Sequence, residues 1–351
     1  LLEKISEKYY LDDVLDGLLI KSENWQALNL ILNKYKEKMQ TIYIDPPFNK
    51  KENADYLYNV KYKDSTWTSM LENRLRLARN FLSERGSIFV RCDYNGNWIV
   101  RPLMNEIFGR ENFRNNIIVK RYTGLPKTGG IKLEEDCEYL IYFGKNEERI
   151  LFKQLLKKID PKWMNLSSRP SLNEENKPII IENKKFYPPK FQRWALSQEI
   201  IIQLLQNKRV KIEDNKIKVL IDASIIGTNW TDVSGYLITT GFKTENSEIL
   251  LKRAIESTSN EGDLVMDFFL GSGTTTAVAH KLKRKWIGVE IGEHFWTVVL
   301  PRMKKVLFYD PSQISKEKDV KEKYNEKLAG GFFKYQVLEQ YEDTLDNIEL
   351  K

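Results

Sequence analysis

Apolar and polar positions recur with two different periods along this chain, and each change of period marks an element. Residues 17–21 (GLLIK) form a short apolar run that reads as a strand. Over 24–38, Trp25, Leu28, Ile31, Leu32 and Tyr35 recur at helical spacing. Residues 41–44 (TIYI) are β-branched or aromatic and predict a buried strand. A second helical face, Met70, Leu71, Leu75, Ala78 and Leu82, runs over 69–82, and a further strand over 86–91 ends before Asp93. Residues 97–108 predict a helix stopped by Gly109, with Pro102 best tolerated in its first turn. After Ser247, Ile249, Leu250 and Ile255 mark another helix. A strand then ends at Asp267, a helix covers 274–282, a strand over 286–289 ends at Glu290, and a helix runs from 293 to about 306. Strands alternating with helices predict an α/β sheet.

Two stretches break this rhythm. Residues 49–68 (NKKENADYLYNVKYKDSTWT) show no period and predict a flap near substrate, with Tyr56, Tyr58, Tyr62 and Trp67 chiefly packing it down. From about 121 to 235, glycines and prolines recur at Gly124, Pro126, Gly129, Gly130, Pro161, Pro170, Pro178, Pro188 and Pro189. Short strands over 138–143 and 216–221 alternate there with basic, aromatic loops such as ENKKFYPPKFQRW. Near the end, 316–327 is a charged run expected to be a solvated helix or linker. Gly330-Gly331 then leads into FFKYQVLEQYED, an expected docked segment or dimer contact.

Composition narrows the class. A chain of 351 residues with 41% hydrophobic residues can bury a sizeable core as two domains, or as one domain with an insertion. No apolar run approaches the ~18 residues of a membrane span. LLEKISEKYY has no secretory pattern, and the missing initial Met implies residues before Leu1. Two distant cysteines, Cys92 and Cys137, argue against a disulfide framework and for the reducing cytoplasm. With two histidines and no C-x-x-C, no zinc site is readable. His280 is expected on a helix surface and His294 near a helix start, neither with a role. The net charge of +7 is concentrated: residues 151–220 hold 15 Lys+Arg against 7 Asp+Glu, so the rest of the chain sums to −1. A polyanion-binding face would be built this way, although a solvated lysine-rich surface would look the same.

The candidate chemistry sits at strand ends. After TIYI come Asp45, Pro46, Pro47 and Phe48, a carboxylate, a stiff loop and a ring at the carboxyl edge of a sheet, where open α/β sheets bind ligands. Far downstream, DFFLGSGTTT runs a strand into a Gly-x-Gly turn and a helix start, a place for backbone N–H groups to meet an anionic ligand. Glu290 ends the next strand and suits the two hydroxyls of a ribose.

DPPF (45–48), DFFLGSGTT (267–275) and IGVE (287–290) together resemble the amino-methyltransferases that act on DNA bases. The catalytic string precedes the cofactor string, which resembles the β class and, within it, the Mod subunits of type III restriction–modification systems. GLLIKSENWQALNLI, RLRLARNFLSERGSIFVRCD and GFKTENSEILLKRAIE agree with this, and the resemblance covers most of 17–308. It implies a Rossmann-like S-adenosylmethionine-dependent methyltransferase sheet with an inserted mixed α+β target-recognition domain. The implied divisions are a catalytic half over 1–120, target recognition over 121–235, a cofactor-binding half over 236–310 and an extension over 311–351. Asp45, Pro46, Pro47 and Phe48 are then catalytic. S-adenosyl-L-methionine would be held by Asp267, Phe268, Phe269, Gly271, Ser272, Gly273, Thr274 and Glu290, with Asn24 near its adenine and Lys243 near its methionine end.

The expected partners are double-stranded DNA, a second copy as a homodimer and a restriction subunit, with no membrane. Lys162, Lys184, Lys185, Lys190 and Arg193 are the candidate DNA contacts, whereas Trp163 and Trp194 fit better in a small core. A sulfonium donor requires no metal and no covalent intermediate. The expected product is N6-methyladenine on a flipped base, because Asp rather than Ser at position 45 resembles the adenine enzymes. Cytosine N4, and a DNA-recognition subunit without catalysis, stay open as alternatives. A dinucleotide fingerprint would need Gly at 276, where Thr stands, a P-loop would need Gly-Lys-Ser/Thr, and a zinc deaminase would need H-x-E and P-C-x-x-C.

Overall fold

The computed structural model describes residues 14–49, 64–121, 133–172 and 177–339. The chain opens with β1 (Gly17–Lys21), α1 (Asn24–Tyr35), β2 (Met39–Ile44), α2 (Asp64–Phe81), β3 (Leu82–Cys92), α3 (Asn97–Phe108), β4 (Phe113–Lys120) and β5 (Cys137–Gly144). Short strands follow: β6 (Leu156–Asn165), β7 (Ser168–Pro170), β8 (Ile179–Ile181), β9 (Lys184–Phe186) and β10 (Gln192–Trp194). Then come α4 (Gln198–Gln206), β11 (Val210–Glu213) and β12 (Lys216–Ile225). The last stretch holds β13 (Asn229–Ser234), α5 (Glu248–Thr258), β14 (Leu264–Asp267), α6 (Thr274–Lys281), β15 (Lys285–Glu290), α7 (Leu300–Phe308), α8 (Lys318–Lys321) and β16 (Phe333–Val337).

One sheet takes strands from both ends of the sequence, in the order β13-β4-β5-β3-β2-β14-β15-β1-β16. Neighbours are parallel except β5, which is antiparallel to β3 and β4. Parallel strands need both faces covered, and the alternation in β2 shows how. Ile42 and Ile44 join Leu28 and Ile31 of α1 and Leu71 and Leu75 of α2 in one apolar cluster. Thr41 and Tyr43 point the other way, where Thr41 Oγ1 lies 2.8 Å from Thr258 Oγ1 at the end of α5. The carboxyl ends of β1, β2, β14 and β15 are thereby brought to one edge, side by side. The expected Rossmann-like α/β sheet is present.

Several boundaries differ from the sequence reading. The chain divides into one compact unit of Leu1–Lys153 with Gly227–Lys351 and another of Gln154–Ile226, rather than at 121 and 235. The expected strand over 138–143 is β5, a member of the main sheet. Gly and Pro mark loops between strands without saying which sheet the strands join. The second unit has its own apolar core, with Ile179, Ile181, Phe186, Ile201 and Val219. Its hairpins turn through Glu182-Asn183 and Asp214-Asn215, all at positive φ, the conformation tight two-residue turns require.

Pro102 falls in the second turn of α3, not the first. Its missing N–H is opposite Trp98, which is 61% exposed, so water reaches the interrupted turn. His280 is buried, with Nε2 3.0 Å from the Gly330 carbonyl, because β16 and the segment before it cover α6. The charged run 316–327 is no mere solvated linker. Tyr324 is fully buried, with its hydroxyl donating to the Val306 carbonyl (2.6 Å). FKYQV docks as edge strand β16, parallel to β1. Most of the expected flap, 50–63, lies outside the described residues. Trp67, from its far end, is fully buried in α2.

Candidate active site

Asp45 leaves β2 on a strand with every residue buried, so its position is set by the sheet. The following loop is pinned from α2: Trp67 Nε1 donates to the Pro47 carbonyl (2.8 Å), and Asn49 Nδ2 donates to Asp64 (2.6 Å). Proline fixes φ at two successive positions, so little freedom is left. A cavity of about 390 Å³ opens at this edge. Asp45, Pro46, Pro47 and Phe48 line one part of it; Asn24, Phe268, Phe269, Gly271, Ser272 and Glu290 line another. The two strings, more than two hundred residues apart, meet in one space.

The glycine turn depends on backbone that other residues avoid. Gly271 and Gly273 have φ of +56° and +82°. The turn is tied to the next strand, because Gly271 N donates to Glu290 Oε2 (2.7 Å) while Gly292 N donates to Oε1 (2.7 Å). His294 Nε2 lies 3.3 Å from the same Oε1. Glu290 is therefore aimed before any ligand arrives.

Asp267, Gly273, Thr274 and Lys243 are not on the cavity wall. Asp267 is buried behind the turn, accepting from Phe269 N (2.9 Å) and Thr275 Oγ1 (2.5 Å), so it shapes the loop from within. Burial pushes its carboxyl up to about 7 against those hydrogen bonds. Thr274 is bonded by Arg302 Nη1 (3.0 Å). Lys243 is exposed, while its neighbours Phe242 and Thr244 line the cavity. Asn24 does reach the wall, with Nδ2 donating to the Phe268 carbonyl (2.9 Å) and Oδ1 accepting from Arg74 Nε (2.5 Å).

Four residues to which the sequence reading gave no role gather at Asp45. Asn246 Nδ2 donates to Asp45 Oδ2 (2.8 Å). Arg91 Nη1 lies 3.7 Å from that oxygen and is itself held by Glu138 and stacked on Tyr236 at 4.1 Å. Burial pushes the Asp45 carboxyl up to about 6; Arg91 opposes this and Glu138 adds to it. Arg91 and Asn246 lie inside two of the strings that carry the resemblance, but no string shows that these residues meet, since each comes from a different segment.

The candidate DNA contacts lie in the second unit. Lys162, Lys184, Lys185, Lys190 and Arg193 are all exposed there. Arg193 in β10 stands directly across from Arg169 in β7, also exposed. Like charges opposite each other in an antiparallel pair are destabilising, and an anion between them would relieve this. Trp194 packs against the core of this unit as expected, whereas Trp163 is half-exposed with Lys211 Nζ 4.8 Å from its ring centre.

A mostly parallel α/β sheet thus brings a carboxylate–Pro-Pro–aromatic loop and a glycine turn onto one cavity. The chain belongs to the N6/N4 DNA methylase family, whose pattern matches residues 39–300. It is 29% identical to the "Probable type III restriction-modification enzyme HindVI Mod subunit" of Haemophilus influenzae, over 94% of this chain and 55% of that protein. It is 27% identical to the type II methyltransferase M.EcaI of Enterobacter cloacae, over 79% of this chain and 67% of that protein. The PvuII DNA methyltransferase (cytosine-N4-specific) overlays with a TM-score of 0.49 at 15% identity, over 92% of this chain and 94% of that one. The chain thus spans about half the length of the Haemophilus relative. Among the described residues no helix is long and apolar enough to cross a membrane.

Proposed function

We propose that this chain transfers a methyl group from S-adenosyl-L-methionine to N6 of a flipped adenine in duplex DNA, as the modification component of a restriction–modification system. The observation that carries the reading is the single cavity shared by Asp45–Phe48 and by the glycine turn with Glu290. The residues present fit the donor: a pre-aimed carboxylate suits a ribose diol, and Gly271, on the cavity wall, takes a φ of +56° that glycine adopts without strain. The volume is within the range of small-molecule sites.

When bound, the donor supplies an electrophilic methyl on a sulfonium. The chain's residues do the rest. An adenine amine is a weak nucleophile because its lone pair is delocalised into the ring. Asp45 and the Pro46 carbonyl would accept its two hydrogens and localise that pair, a preorganised electrostatic effect. Phe48, on the cavity wall, would stack on the base. A base in a duplex cannot reach this cavity, so flipping is required.

Glu290→Ala is expected to weaken S-adenosylmethionine binding tenfold or more, since a charged hydrogen bond in a buried site is worth roughly 1.5–3 kcal/mol. Titration calorimetry on the folded variant checks this, and unchanged affinity removes the ribose role.

The second unit is read as the DNA-recognition module. Replacing Lys184 and Lys185 together by alanine should weaken all DNA sequences alike, and lower the salt slope of binding by about one per cation. Arg193→Ala, if that side chain reads a base edge, should relax specificity at one position. Unaltered binding and slope in both variants, measured by fluorescence anisotropy, would place recognition elsewhere. The Mod relative supports a companion restriction subunit. Sedimentation of the purified chain tests the homodimer.

A further inference from the structure

We infer that Asn246 is a positioning residue of the reaction centre: its amide holds one oxygen of Asp45 and leaves the other to accept from the target amine. The inference rests on the proposed methyl transfer and deepens it. Asn246 Oδ1 accepts from the Arg91 guanidinium and from the Tyr43 hydroxyl (3.1 Å). Guanidinium has donors only, so a reversed amide would set donor against donor. The Nδ2 end must therefore face Asp45 Oδ2, where it lies at 2.8 Å.

What aims the amide is itself rigid. Arg91 is fully buried, with Nε and Nη2 on Glu138 Oε2 (2.9 and 2.6 Å) and Nη1 on the Gly235 carbonyl (3.1 Å). Tyr236 closes the group with its ring over the guanidinium and its hydroxyl on Glu138 (3.1 Å). A side chain at 235 would collide with Arg91, so glycine lets the strap from β13 pass close. At 3.7 Å Arg91 does not hydrogen-bond Asp45; the amide stands between cation and carboxylate. A direct guanidinium fork would occupy both carboxylate oxygens. The interposed amide takes one and leaves Oδ1 for substrate.

The charged and titratable groups around Asp45 are Arg91, Cys92 and Asp93 from the β3 side, Glu138 from β5, Tyr43 from β2 and Asp267 from β14. Asn246 is the neutral donor among them. Asn246→Asp keeps shape and still receives Arg91 and Tyr43, yet presents an acceptor and a second negative charge to Asp45.

The test is methyl transfer to duplex DNA followed across pH. Asn246→Asp is expected to lower kcat at least about tenfold with KM for S-adenosylmethionine nearly unchanged, and to move the acid limb of kcat upward by roughly one pH unit. Tyr43→Phe removes one of the two donors on Oδ1 and should lower kcat less, about two- to fivefold. The inference is overturned if Asn246→Asp keeps kcat within about twofold, or loses rate with an unmoved acid limb. Should Asn246→Asp not fold, Tyr43→Phe decides, and full kcat there overturns it. A wild-type protein without any transfer would instead remove the functional reading, a different result.

Discussion

Asp45→Ala is expected to yield a folded protein that still binds S-adenosylmethionine and has lost nearly all methyl transfer. Removing one preorganised electrostatic group costs on the order of a hundredfold or more in rate. Binding should survive because Asp45 ends β2, a different strand from those that carry the glycine turn and Glu290. The pH dependence follows from burial. With its carboxyl pushed up to about 6, Asp45 takes a proton as pH falls through that value, and the protonated acid has lost an acceptor. The rate should therefore decline below pH 6 and be level above it.

The same shift has a cost in stability. A carboxylic acid raised on folding contributes nothing below its ordinary value of 3.8. The folded state then loses stability as pH rises from there to about 6, and carries the full penalty above that. Asp45→Asn should thus stabilise the protein at pH 7.5 by about 1–3 kcal/mol while abolishing activity. Denaturant unfolding checks the sign, and a less stable Asn variant contradicts the desolvation argument.

Lys281→Met should produce the largest loss of stability. Lys281 Nζ is fully buried on α6, between both oxygens of Glu248 (3.0 and 2.9 Å) and Asp310 Oδ2 (2.8 Å). Glu248 also meets Arg302 Nη2 (3.3 Å), and Arg302 Nη1 reaches Glu245 (2.8 Å) and Thr274 (3.0 Å). The network fastens α5, α6 and α7 beneath the glycine turn. Methionine fills the space but leaves Glu248 and Asp310 facing each other without their shared cation. Breaking a buried pair from one side costs about 3–5 kcal/mol. Lys281 holds the Asp310 carboxyl well below the usual range against burial. That contribution is present above the ordinary carboxylate value and is lost as pH falls through the folded one, so the variant's deficit should be full at pH 7 and shrink in strong acid. The urea midpoint at pH 7 is the measurement, and an unchanged midpoint would show the network to be dispensable.

The readable part of this protein was the part written in short strings. β2 with DPPF, β14 with the Gly-x-Gly turn, and β15 with Glu290 each carry their signal within ten residues, and they meet because parallel strands share one carboxyl edge. What stayed hidden is what long-range pairing decides. Arg91, Glu138, Tyr236 and Asn246 lie on four separate segments, and nothing near any of them names the others. Lys243 was singled out by resemblance alone, while Asn246, three residues on, faces the carboxylate. β5 is flanked by turn-rich sequence and so looked like part of the insert, yet its burial between β3 and β4 is set by partners on both sides. His280 was expected on a helix surface, and its neighbour Lys281 is of a type usually exposed. They are buried because α5, α7 and the C-terminal segment close over a helix whose eight residues, polar ones included, are all buried.

The central claim is a methyl group placed on the exocyclic amine of a DNA base by Asp45. It is tested most directly by incubating the protein with unmethylated duplex DNA and isotope-labelled S-adenosylmethionine, then resolving the nucleosides by mass spectrometry. Labelled N6-methyladenine is expected with the wild-type protein and almost none with Asp45→Ala. Labelled N4-methylcytosine as the main product contradicts the choice of adenine, and a wild-type level of label from Asp45→Ala contradicts the site itself.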